Sequence, residues 1–248
     1  MKGGFFVANS QPASNCLYNL IYTDFNEEFS KGSNFYYDIQ YPAFFNFNNG
    51  YFFANPSILN NISNLIKEEV VSFRDNLAKE EAQYNSTVAD NKPDEKKVYS
   101  AFSNFAVTFN KNHLLSVIVN LRGFTNHTLP SYNELYNYNY DLLTGKKITL
   151  QDIFNNGVDY IKVITDYVNY KINQNKDLYF DNVEFFITDD QAFYIEDDGL
   201  VVYFDAGQLA KEEFGTTKFK LMFSKFAPYI NPRFYCSATN INRRIYRR

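Results

Sequence analysis

The sequence predicts an α+β fold in which antiparallel sheets pack against two main amphipathic helices. Several stretches alternate apolar and polar residues as strands do, two stretches have helical periodicity, and strands and helices are not regularly interleaved. Aromatic residues form 19% of the 248 residues and favour strands. An AT-rich genome would produce the same richness in Phe, Tyr, Asn and Lys, so composition alone does not indicate a function.

The N-terminal part of the chain is predicted to contain an arm, a strand and a turn. Residues 1–33 are polar and rich in Asn, Ser and Gly, which predicts a loosely attached arm with one strand at 17–22. The stretch "NFYYDIQYPAF" is typical of a strand, and Pro42 marks its edge or its end. Asn49 and Gly50 form the strongest short turn signal in the chain.

A long helix follows and has clear start signals. Asn55 is a good N-cap, and Pro56 occupies the first helical position, where a missing N–H costs nothing. Six apolar residues recur at helical spacing and predict one buried face: Ile58, Ile62, Leu65, Ile66, Phe73 and Leu77. Residues 84–97 are the most polar stretch and are predicted to form a flexible loop.

A hairpin and a strand–turn–helix unit are predicted next. "VYSAFSNFAVTF" and "HLLSVIVNLRGF" read as two strands joined by the short "NKN". In "NYNYDLLTGKKITLQDIF", residues 137–154, the alternation of Tyr and Asn predicts a half-exposed strand. Gly145 suits a turn that needs a positive φ, and Thr149 with Asp152 approximates a capping box.

A second long helix is predicted over residues 160–173, followed by strands. The inner face of this helix is predicted to carry Ile161, Ile164, Val168 and Ile172. Four later stretches are predicted strands: "VEFFIT", "AFYIE", "LVVYF" and "KFKLMF". A tight "DDG" turn at 197–199 joins the second of these strands to the third.

Charge and apolar runs exclude some classes of protein. The formal net charge of -4 would not attract the chain to nucleic acid, which is also negatively charged. Basic residues concentrate in "NRRIYRR" at the end, which is predicted to be a solvated terminus. No apolar run approaches the roughly 18 residues that cross a bilayer, and the apolar centre near the start is too short for an export signal. The chain is therefore either cytoplasmic, or secreted or anchored with its targeting segment left out.

Few residues have the pattern of a known catalytic or metal site. The sequence has no phosphate loop, zinc-binding His-Glu-x-x-His helix, Gly-x-Ser-x-Gly elbow or Cys-x-x-Cys pair. Cys16 and Cys236 lie near opposite ends, which leaves their pairing open. His113 opens a strand beside an apolar run and is predicted to be structural. We therefore expect no catalytic residue, no metal and no cofactor.

Two groups of residues are candidates for binding. Arg122 and His127 belong to the loop-like "RGFTNHTLPSY", where a histidine near Arg and Tyr suits binding or acid–base work. The alternative is a turn histidine that is hydrogen-bonded to the backbone. Four tyrosines are predicted to expose rings with hydroxyls that suit a sugar or a protein partner: Tyr132, Tyr136, Tyr138 and Tyr140. The alternative is an amphipathic strand that covers a small core.

An acidic cluster is a further candidate for chemistry. Its members are Asp189, Asp190, Glu196, Asp197 and Asp198. The cluster lacks the EF-hand spacing, and a glycoside hydrolase needs two carboxyls held across a cleft. Since the residues fall at predicted hairpin turns, where Asp is favoured for local reasons, the structural interpretation is preferred.

Four motifs together resemble a known family. "YNYDLLTGKKITLQDIF", "YIKVITDYVNYKI", "AFYIEDDGLVVYFDAGQLA" and "FKLMFSKF" are similar to the domain of unknown function that ends the extracellular part of RsiV-type anti-sigma factors. That domain also occurs beside polysaccharide deacetylases and as stand-alone proteins in Gram-positive bacteria. "FYYDIQYPAFF" and the helix after it resemble the partner domain that precedes it. The resemblance covers about residues 34–227.

The resemblance implies an α+β binding module outside the cell that captures lysozyme. The sequence departs from the family in two places. The family's Gly-Gly-Ala-His loop is replaced by residues 124–127, which keep only the histidine, and the family's Tyr and Pro-Tyr positions fall near Gly207, Lys211 and Glu212. The chain also contains no transmembrane or sigma-binding segment, so we do not expect a complete anti-sigma factor.

The resulting hypothesis is a non-catalytic, cell-envelope-associated module that binds lysozyme or a cell-wall glycan. Its alternatives are a hydrolase of wall polysaccharide and a cytoplasmic stand-alone protein, the latter favoured if Met1 is the native start. The predicted contact regions are the 122–138 loop and the 205–216 segment, with Arg122, His127, Tyr132, Tyr136, Tyr138, Gln208, Lys211 and Glu212 as candidate binding residues. The predicted domains are an arm (1–33), a partner-type subdomain (34–111), an RsiV-like domain (112–230) and a basic tail (231–248).

Overall fold

The computed structural model of the chain describes residue 19 and residues 21–47, 54–89, 92–126, 130–181, 183 and 185–234. Within these residues the chain forms eight strands and four α-helices. Five residues singled out from the sequence lie outside them: Asn49 and Gly50 of the predicted turn, Cys16, Cys236 and His127. The arginine-rich end of the predicted tail lies outside them as well.

The strands form two sheets. The five-stranded sheet consists, in spatial and chain order, of β1 (Ile21–Lys31), β2 (Phe35–Asn46), β3 (Tyr99–Lys111), β4 (Leu114–Thr125) and β5 (Pro130–Asp141). The three-stranded sheet consists of β6 (Phe193–Glu196), β7 (Gly199–Phe204) and β8 (Thr217–Met222). All pairs are antiparallel except β2 and β3, which run parallel. The predicted α+β class is confirmed, with one parallel pair that the sequence did not predict.

The parallel pair exists because helix α1 (Pro56–Ser86) connects β2 to β3 as a crossover. Its predicted start is confirmed, since the Asn55 side chain accepts a hydrogen bond from the Ser57 amide at 2.9 Å and Pro56 is the first helical residue. The buried face carries Leu59, Ile62, Ile66, Val70 and Leu77. Leu65 was predicted on this face but is 47% exposed, because it lies beside the buried stripe.

The elements stack in four layers: α1, the five-stranded sheet, the three-stranded sheet and helix α3 (Tyr160–Gln174). On α1, Ile62 and Ile66 pack with apolar side chains of β2 and β4. Between the sheets, Leu135 packs against Tyr203 and its neighbours. The three-stranded sheet turns its other face to α3, where Ile164 packs with buried side chains of the sheet. The five-stranded sheet is therefore covered on one face by a helix and on part of the other face by a second sheet.

Two predictions in the C-terminal half are wrong. Ile161 was placed on the inner face of its helix but is 39% exposed, whereas Ile164 and Val168 are fully buried. "VEFFIT" was predicted to be a strand, yet residues 183 and 185–188 have no regular structure. Ile187 belongs to the buried core while Phe186 is 81% exposed, so burial alternates as in a strand. The described residues of this stretch do not belong to either sheet.

The N-terminal arm was predicted to be loose, but residues 21–31 form β1 and pair along their whole length with β2. The strand predicted at 17–22 shares only Ile21 and Tyr22 with β1, and residues 17, 18 and 20 lie outside the described residues. The rest of β1 was missed because it is an edge strand with polar or exposed side chains on both faces. At the other end of the described chain, the predicted tail begins with packed residues. Phe234 is 2% exposed, and the Arg233 guanidinium binds Asp141 at 2.6 Å.

A buried polar junction joins the two sheets. The Ser116 hydroxyl donates to Asn139 Oδ1 at 2.7 Å, and the amide of Ile195 donates to the same hydroxyl at 3.0 Å. The side-chain nitrogen Nδ2 of Asn139 donates to the backbone carbonyl of Phe193 at 2.8 Å. Ser116 and Asn139 are both fully buried, so these hydrogen bonds fix how the sheets stack.

The turn and cap predicted between residues 141 and 154 are confirmed. Gly145 has a φ of 71°, and the Thr149–Asp152 capping box starts the short helix α2 (Leu150–Ile153). The fourth helix, α4, is Phe223–Phe226. No helix in the described part of the chain has the length and apolar character that spanning a bilayer requires.

The predicted domain division stays a prediction. One of its boundaries, between residues 111 and 112, falls in the turn of the β3–β4 hairpin, where Lys111 pairs with Leu114. Asn112 and His113 form this turn with positive φ values of 54° and 63°. The five-stranded sheet therefore continues across this boundary.

Candidate functional site: a cleft beside the fifth strand

A cleft of about 1260 Å³ opens beside β5. Residues 130–137 of β5 form one wall, and residues 211–215 form the other. Tyr203 at the end of β7 and Asp205 just after it also line the cleft. The cleft therefore brings together parts of the two segments that the sequence singled out for binding.

The strand β5 is accessible there because it is the last strand of its sheet and pairs only with β4. Near its C-terminal end the outer edge is occupied, since the Asn139 carbonyl accepts from the Ile148 amide at 2.8 Å and the Asp141 amide donates to Lys146 at 2.9 Å. Next to the cleft, the Leu135 carbonyl accepts from the Tyr203 hydroxyl at 2.8 Å. No strand of the described chain pairs with the rest of this edge.

The opposite wall is a single 3-10 turn at Glu212–Phe214. The amide of Phe214 donates to the Lys211 carbonyl at 2.9 Å and the amide of Gly215 to the Glu212 carbonyl at 2.9 Å. Gly215 has a φ of 68°, which a residue with a side chain rarely adopts. A Cβ placed on Gly215 would lie 3.6 Å from the side-chain nitrogen of Asn133, so the two walls approach each other closely at this point.

Tyr203 is the buried polar residue of the cleft, with 2% of its surface exposed. Its hydroxyl donates to the Leu135 carbonyl and accepts from the side-chain nitrogen Nδ2 of Asn137, both at 2.8 Å. Burial raises the pKa of Tyr203 to about 12. The side chain is therefore a neutral hydrogen-bonding group at physiological pH, and it orients the β5 wall.

The tyrosines of β5 point towards α1. The Tyr132 hydroxyl donates to Glu80 at 2.8 Å, and this hydrogen bond together with burial raises its pKa. The Tyr136 hydroxyl donates to Glu134 at 2.7 Å, and burial followed by the Glu134 carboxylate raises its pKa. Tyr138 is 6% exposed and packs into the core beneath α1, so the expectation of an exposed ring is wrong for this residue. The cleft thus has two tyrosine side chains of β5 at its rim.

The remaining predicted site residues are distributed over the surface. Lys211 and Glu212 line the cleft with Tyr132 and Tyr136. Gln208 lines a neighbouring pocket, and its side-chain oxygen accepts from the Asp205 amide at 2.7 Å. Arg122 is exposed on β4, on the sheet face opposite α1. The binding role of these residues, and of His127, stays a prediction.

Sequence reasoning missed several residues of the cleft. Tyr203 is 68 positions from Leu135 and was included only in a core strand. Glu134, Asp205 and Phe214 lie within the predicted contact regions 122–138 and 205–216 but were not named as candidate binding residues, and the fold brings them to the cleft. The alternation of tyrosines on β5 was one of the sequence patterns that pointed to this region.

The cleft is acidic. Its charged residues are the four carboxylates Glu134, Asp205, Glu212 and Glu213 and the two lysines Lys147 and Lys211. All six are exposed, so salt would screen their field strongly. A cationic surface would be attracted to this cleft.

The acidic cluster near the β6–β7 turn has local partners. Glu196 and Asp198 form ion pairs with Lys220, and Asp197 pairs with Lys111 at 2.7 Å. These carboxylates therefore tie neighbouring strands together. Within the residues that the structure describes, no group of three or more His, Cys, Asp or Glu side chains is arranged to hold a metal ion.

Comparisons with known families match two parts of the chain. Residues 151–224 match the family described as "Protein of unknown function (DUF3298)", and residues 29–125 match the family described as "Deacetylase PdaC". The first match spans α3, the three-stranded sheet and most of α2, and the second spans α1, β2, β3, β4 and the end of β1. Each match covers less than half of the chain, so two separate parts of the chain are similar to two different families. No curated protein matches the chain.

Two solved structures have a similar fold. One is a DUF3298 family member from Bacteroides fragilis, which is 14% identical with a TM-score of 0.58, and the alignment covers 86% of this chain and 95% of that one. The other is a DUF3298 family protein from Pseudomonas aeruginosa PAO1, which is 14% identical with a TM-score of 0.55, with coverage of 88% and 96%. At this identity the likeness concerns the fold alone.

Proposed function

We propose that the protein is a non-catalytic binding module that receives a cationic protein partner in the cleft beside β5. The observation that carries this proposal is the meeting of residues 130–137 and 211–215 around four carboxylates. A charged, open cleft with aromatic side chains at its rim is suited to a protein surface rather than to a small buried substrate.

The state of the tyrosines supports binding rather than catalysis. The pKa of Tyr203 is raised to about 12, and that of Tyr136 is raised as well, in both cases chiefly by burial. A tyrosine that stays protonated at physiological pH is a poor nucleophile or base. The half-buried Tyr136 lines the cleft and offers a ring to a partner, whereas Tyr203 is buried and supports the wall behind it. These groups are also held in place by Leu135 and Glu134, so they lose little entropy on binding.

Lysozyme is the specific partner that we propose. The RsiV-like resemblance of the sequence implies lysozyme capture, and a basic protein complements the acidic cleft. This assignment places the protein at the cell envelope of a Gram-positive bacterium. The RsiV-like identity, the partner and the location are parts of the same proposal.

The test is a calorimetric titration of the protein with lysozyme at low salt and at physiological salt. The double variant Glu212→Gln with Glu213→Gln removes two carboxylates from the cleft and is expected to weaken binding about tenfold at low salt. The matched control is Asp94→Asn with Glu95→Gln, because these two carboxylates also lie side by side in an exposed 3-10 turn. The control is expected to bind as the parent does.

Two results would overturn the proposal. The first is an absence of lysozyme binding by the parent protein at low salt. The second is equal weakening by the cleft pair and the control pair, because that result would mean that net charge alone drives association. Cell fractionation of the native protein tests the envelope location independently.

A hydrolase of wall polysaccharide is the second candidate function, and the PdaC-like match over residues 29–125 favours it. The test is the release of acetate or reducing ends from purified cell wall. Activity that His127→Ala leaves unchanged would remove His127 from the mechanism. No release by the parent protein would leave the binding module as the remaining proposal.

A further inference from the structure

A second surface lies on the five-stranded sheet, on the face opposite α1. The three-stranded sheet covers this face around Ser116 and Asn139, but it leaves the face open nearer the β5 cleft. The open part has a shallow pocket of about 370 Å³, lined mainly by Asp38, Gln40, Phe102, Asn104, Arg122 and Phe124. We call it the open sheet face.

An acceptor, a ring and a donor form a row across the open sheet face. Phe102 of β3 pairs with Asp38 of β2 on one side and with Arg122 of β4 on the other. Neighbouring strands are about 4.8 Å apart, so the backbones that carry Asp38 and Arg122 are separated by about 10 Å with Phe102 between them. A ligand ring resting on Phe102 would therefore have a carboxylate at one edge and a guanidinium at the other.

The Phe102 ring is held in a fixed orientation by two other rings. Its centroid lies 5.7 Å from that of Tyr36 at an interplanar angle of 77°, and 5.6 Å from that of Phe124 at 82°. Edge-to-face contacts of this kind are favourable and restrict ring motion. The aromatic platform is thus preorganised before any ligand arrives.

The charged groups of the open sheet face are available for a ligand. Asp38 and Arg122 are both exposed, and neither forms an ion pair with another residue of the described chain. Gln40 and Asn104, which have side-chain amides, line the same pocket. One carboxylate and one guanidinium leave the open sheet face without net charge, in contrast to the acidic cleft.

We propose that the open sheet face binds a neutral oligosaccharide. A pyranose ring has an apolar C–H face that packs on an aromatic ring and an equatorial rim of hydroxyls that donate and accept hydrogen bonds. Asp38 accepts from hydroxyls at one edge, and Arg122 donates to oxygens at the other. A polyanion would be repelled by Asp38, and an apolar peptide would bury both charges without partners.

The row of paired residues continues beyond Arg122 to β5. Arg122 pairs with Asn133 of β5, and Asn133 lines the acidic cleft. A chain of sugars that starts on Phe102 can therefore continue along the row towards β5. This site differs from the cleft in both ligand and charge, so it does not depend on the proposed binding of a cationic protein.

The test is a titration of the isotope-labelled protein with chitotetraose and, separately, with cellotetraose, followed by NMR. At least one sugar is expected to give saturable shifts at residues of the open sheet face. Phe102→Leu keeps an apolar side chain but removes the ring, and Arg122→Gln removes the charged donor. Each is expected to weaken binding about tenfold, equal to about 1.4 kcal/mol.

Phe186→Leu is the matched control, because Phe186 is 81% exposed and lies outside the open sheet face. It is expected to bind sugar as the parent does. The absence of saturable shifts with both sugars, or full binding by folded Phe102→Leu, would overturn the proposal. Lysozyme binding by Phe102→Leu is expected to be unchanged, so failure of this site and failure of the cleft proposal are distinguishable.

Discussion

The hydroxyl of Tyr203 donates to the backbone carbonyl of Leu135 at 2.8 Å, and this hydrogen bond ties the three-stranded sheet to the edge strand of the larger sheet. The same oxygen accepts from the side-chain nitrogen of Asn137. One side chain of β7 therefore satisfies two polar groups of β5 beside the cleft. Because Tyr203 is almost fully buried, water cannot replace these bonds without a structural change.

The variant Tyr203→Phe is expected to lower the free energy of unfolding by about 1–3 kcal/mol, because it leaves the Leu135 carbonyl without its donor. Chemical denaturation measures the change. Tyr229→Phe is the control, since Tyr229 is 44% exposed, and it is expected to stay within about 0.5 kcal/mol of the parent. Equal stability of both variants would show that the Tyr203 hydroxyl does not stabilise the sheet contact.

The variant Asn139→Ala is expected to destabilise the protein by about 2–4 kcal/mol. It removes the acceptor of the Ser116 hydroxyl and the donor to the Phe193 carbonyl in a fully buried junction. Asn133→Ala changes an exposed residue on the same face of β5 and should cost less than about 0.5 kcal/mol. A double-mutant cycle with Ser116→Ala should give a coupling of at least about 0.5 kcal/mol, and additivity would contradict a shared network.

Structural features that depend on a few adjacent residues can be predicted from the sequence. The Asn55 cap, the positive φ of Gly145 and the β3–β4 hairpin each depend on a few adjacent positions, and all three were predicted correctly. The polar residues of β5 were harder to interpret. The alternation of Tyr and Asn indicated a strand with one exposed face, but Asn139 is buried by the second sheet. No local pattern shows that a distant strand supplies the partner.

The candidate site shows the same limit. The segments 122–138 and 205–216 were selected from the sequence, and parts of both line the cleft. Tyr203, which connects them, was not selected, because its role depends on a contact with a residue 68 positions away. Likewise, β1 was missed beyond its first two residues, because an edge strand with exposed side chains on both faces lacks the apolar alternation of a buried one.

Stability is expected to fall at alkaline pH. The pKa of Tyr203 is raised from 10.0 to about 12 in the folded state, chiefly by burial. The folded state therefore favours the protonated form, and the stability that this contributes is complete below pH 10 and is lost as the pH rises towards 12. The loss from Tyr203 alone is about 3 kcal/mol.

Denaturation at a series of pH values, with tyrosinate absorbance followed in parallel, measures this effect. Tyr203→Phe starts from a lower stability at neutral pH but should lose less between pH 10 and pH 12. The two stability curves should therefore approach each other as the pH rises. Parallel curves would contradict a raised pKa at this residue.

The opposite dependence is expected for Asp141. Burial alone would raise its pKa, but the hydrogen bond from Arg233 and the amides of Leu143 and Thr144 outweigh burial and lower it from 3.8. The stabilisation is therefore present above pH 3.8 and is lost as the pH falls further. Asp141→Asn should cost about 1–3 kcal/mol at neutral pH, and the difference from the parent should shrink in acid.

Asp166→Asn is the control for Asp141. Its ion pair with Lys162 is exposed on both sides, so the substitution should change stability by less than about 0.5 kcal/mol at any pH. Unfolding by urea between neutral pH and pH 3 compares the two variants with the parent. A constant difference for Asp141→Asn over this range would show that its carboxylate is not the titrating group.

Gly145 combines two constraints in one turn. Its φ of 71° is unfavourable for a residue with a side chain, and a Cβ there would lie 3.1 Å from the Cγ1 atom of Ile58 on α1. Gly157 has a similar φ of 83°, but a Cβ there would meet nothing within 4 Å. Gly157→Ala should therefore lower the free energy of unfolding by about 1–2 kcal/mol through backbone strain alone, and Gly145→Ala should lower it further.

Repeating Gly145→Ala in an Ile58→Ala background separates the two causes. If the contact with Ile58 contributes, the cost of the glycine substitution should fall in this background towards the value measured at Gly157. The comparison requires only denaturation curves of four variants and the parent. If Gly145→Ala lowers the free energy of unfolding equally in both backgrounds, the turn conformation alone requires glycine. Ile58 of α1 would then accommodate the added methyl group.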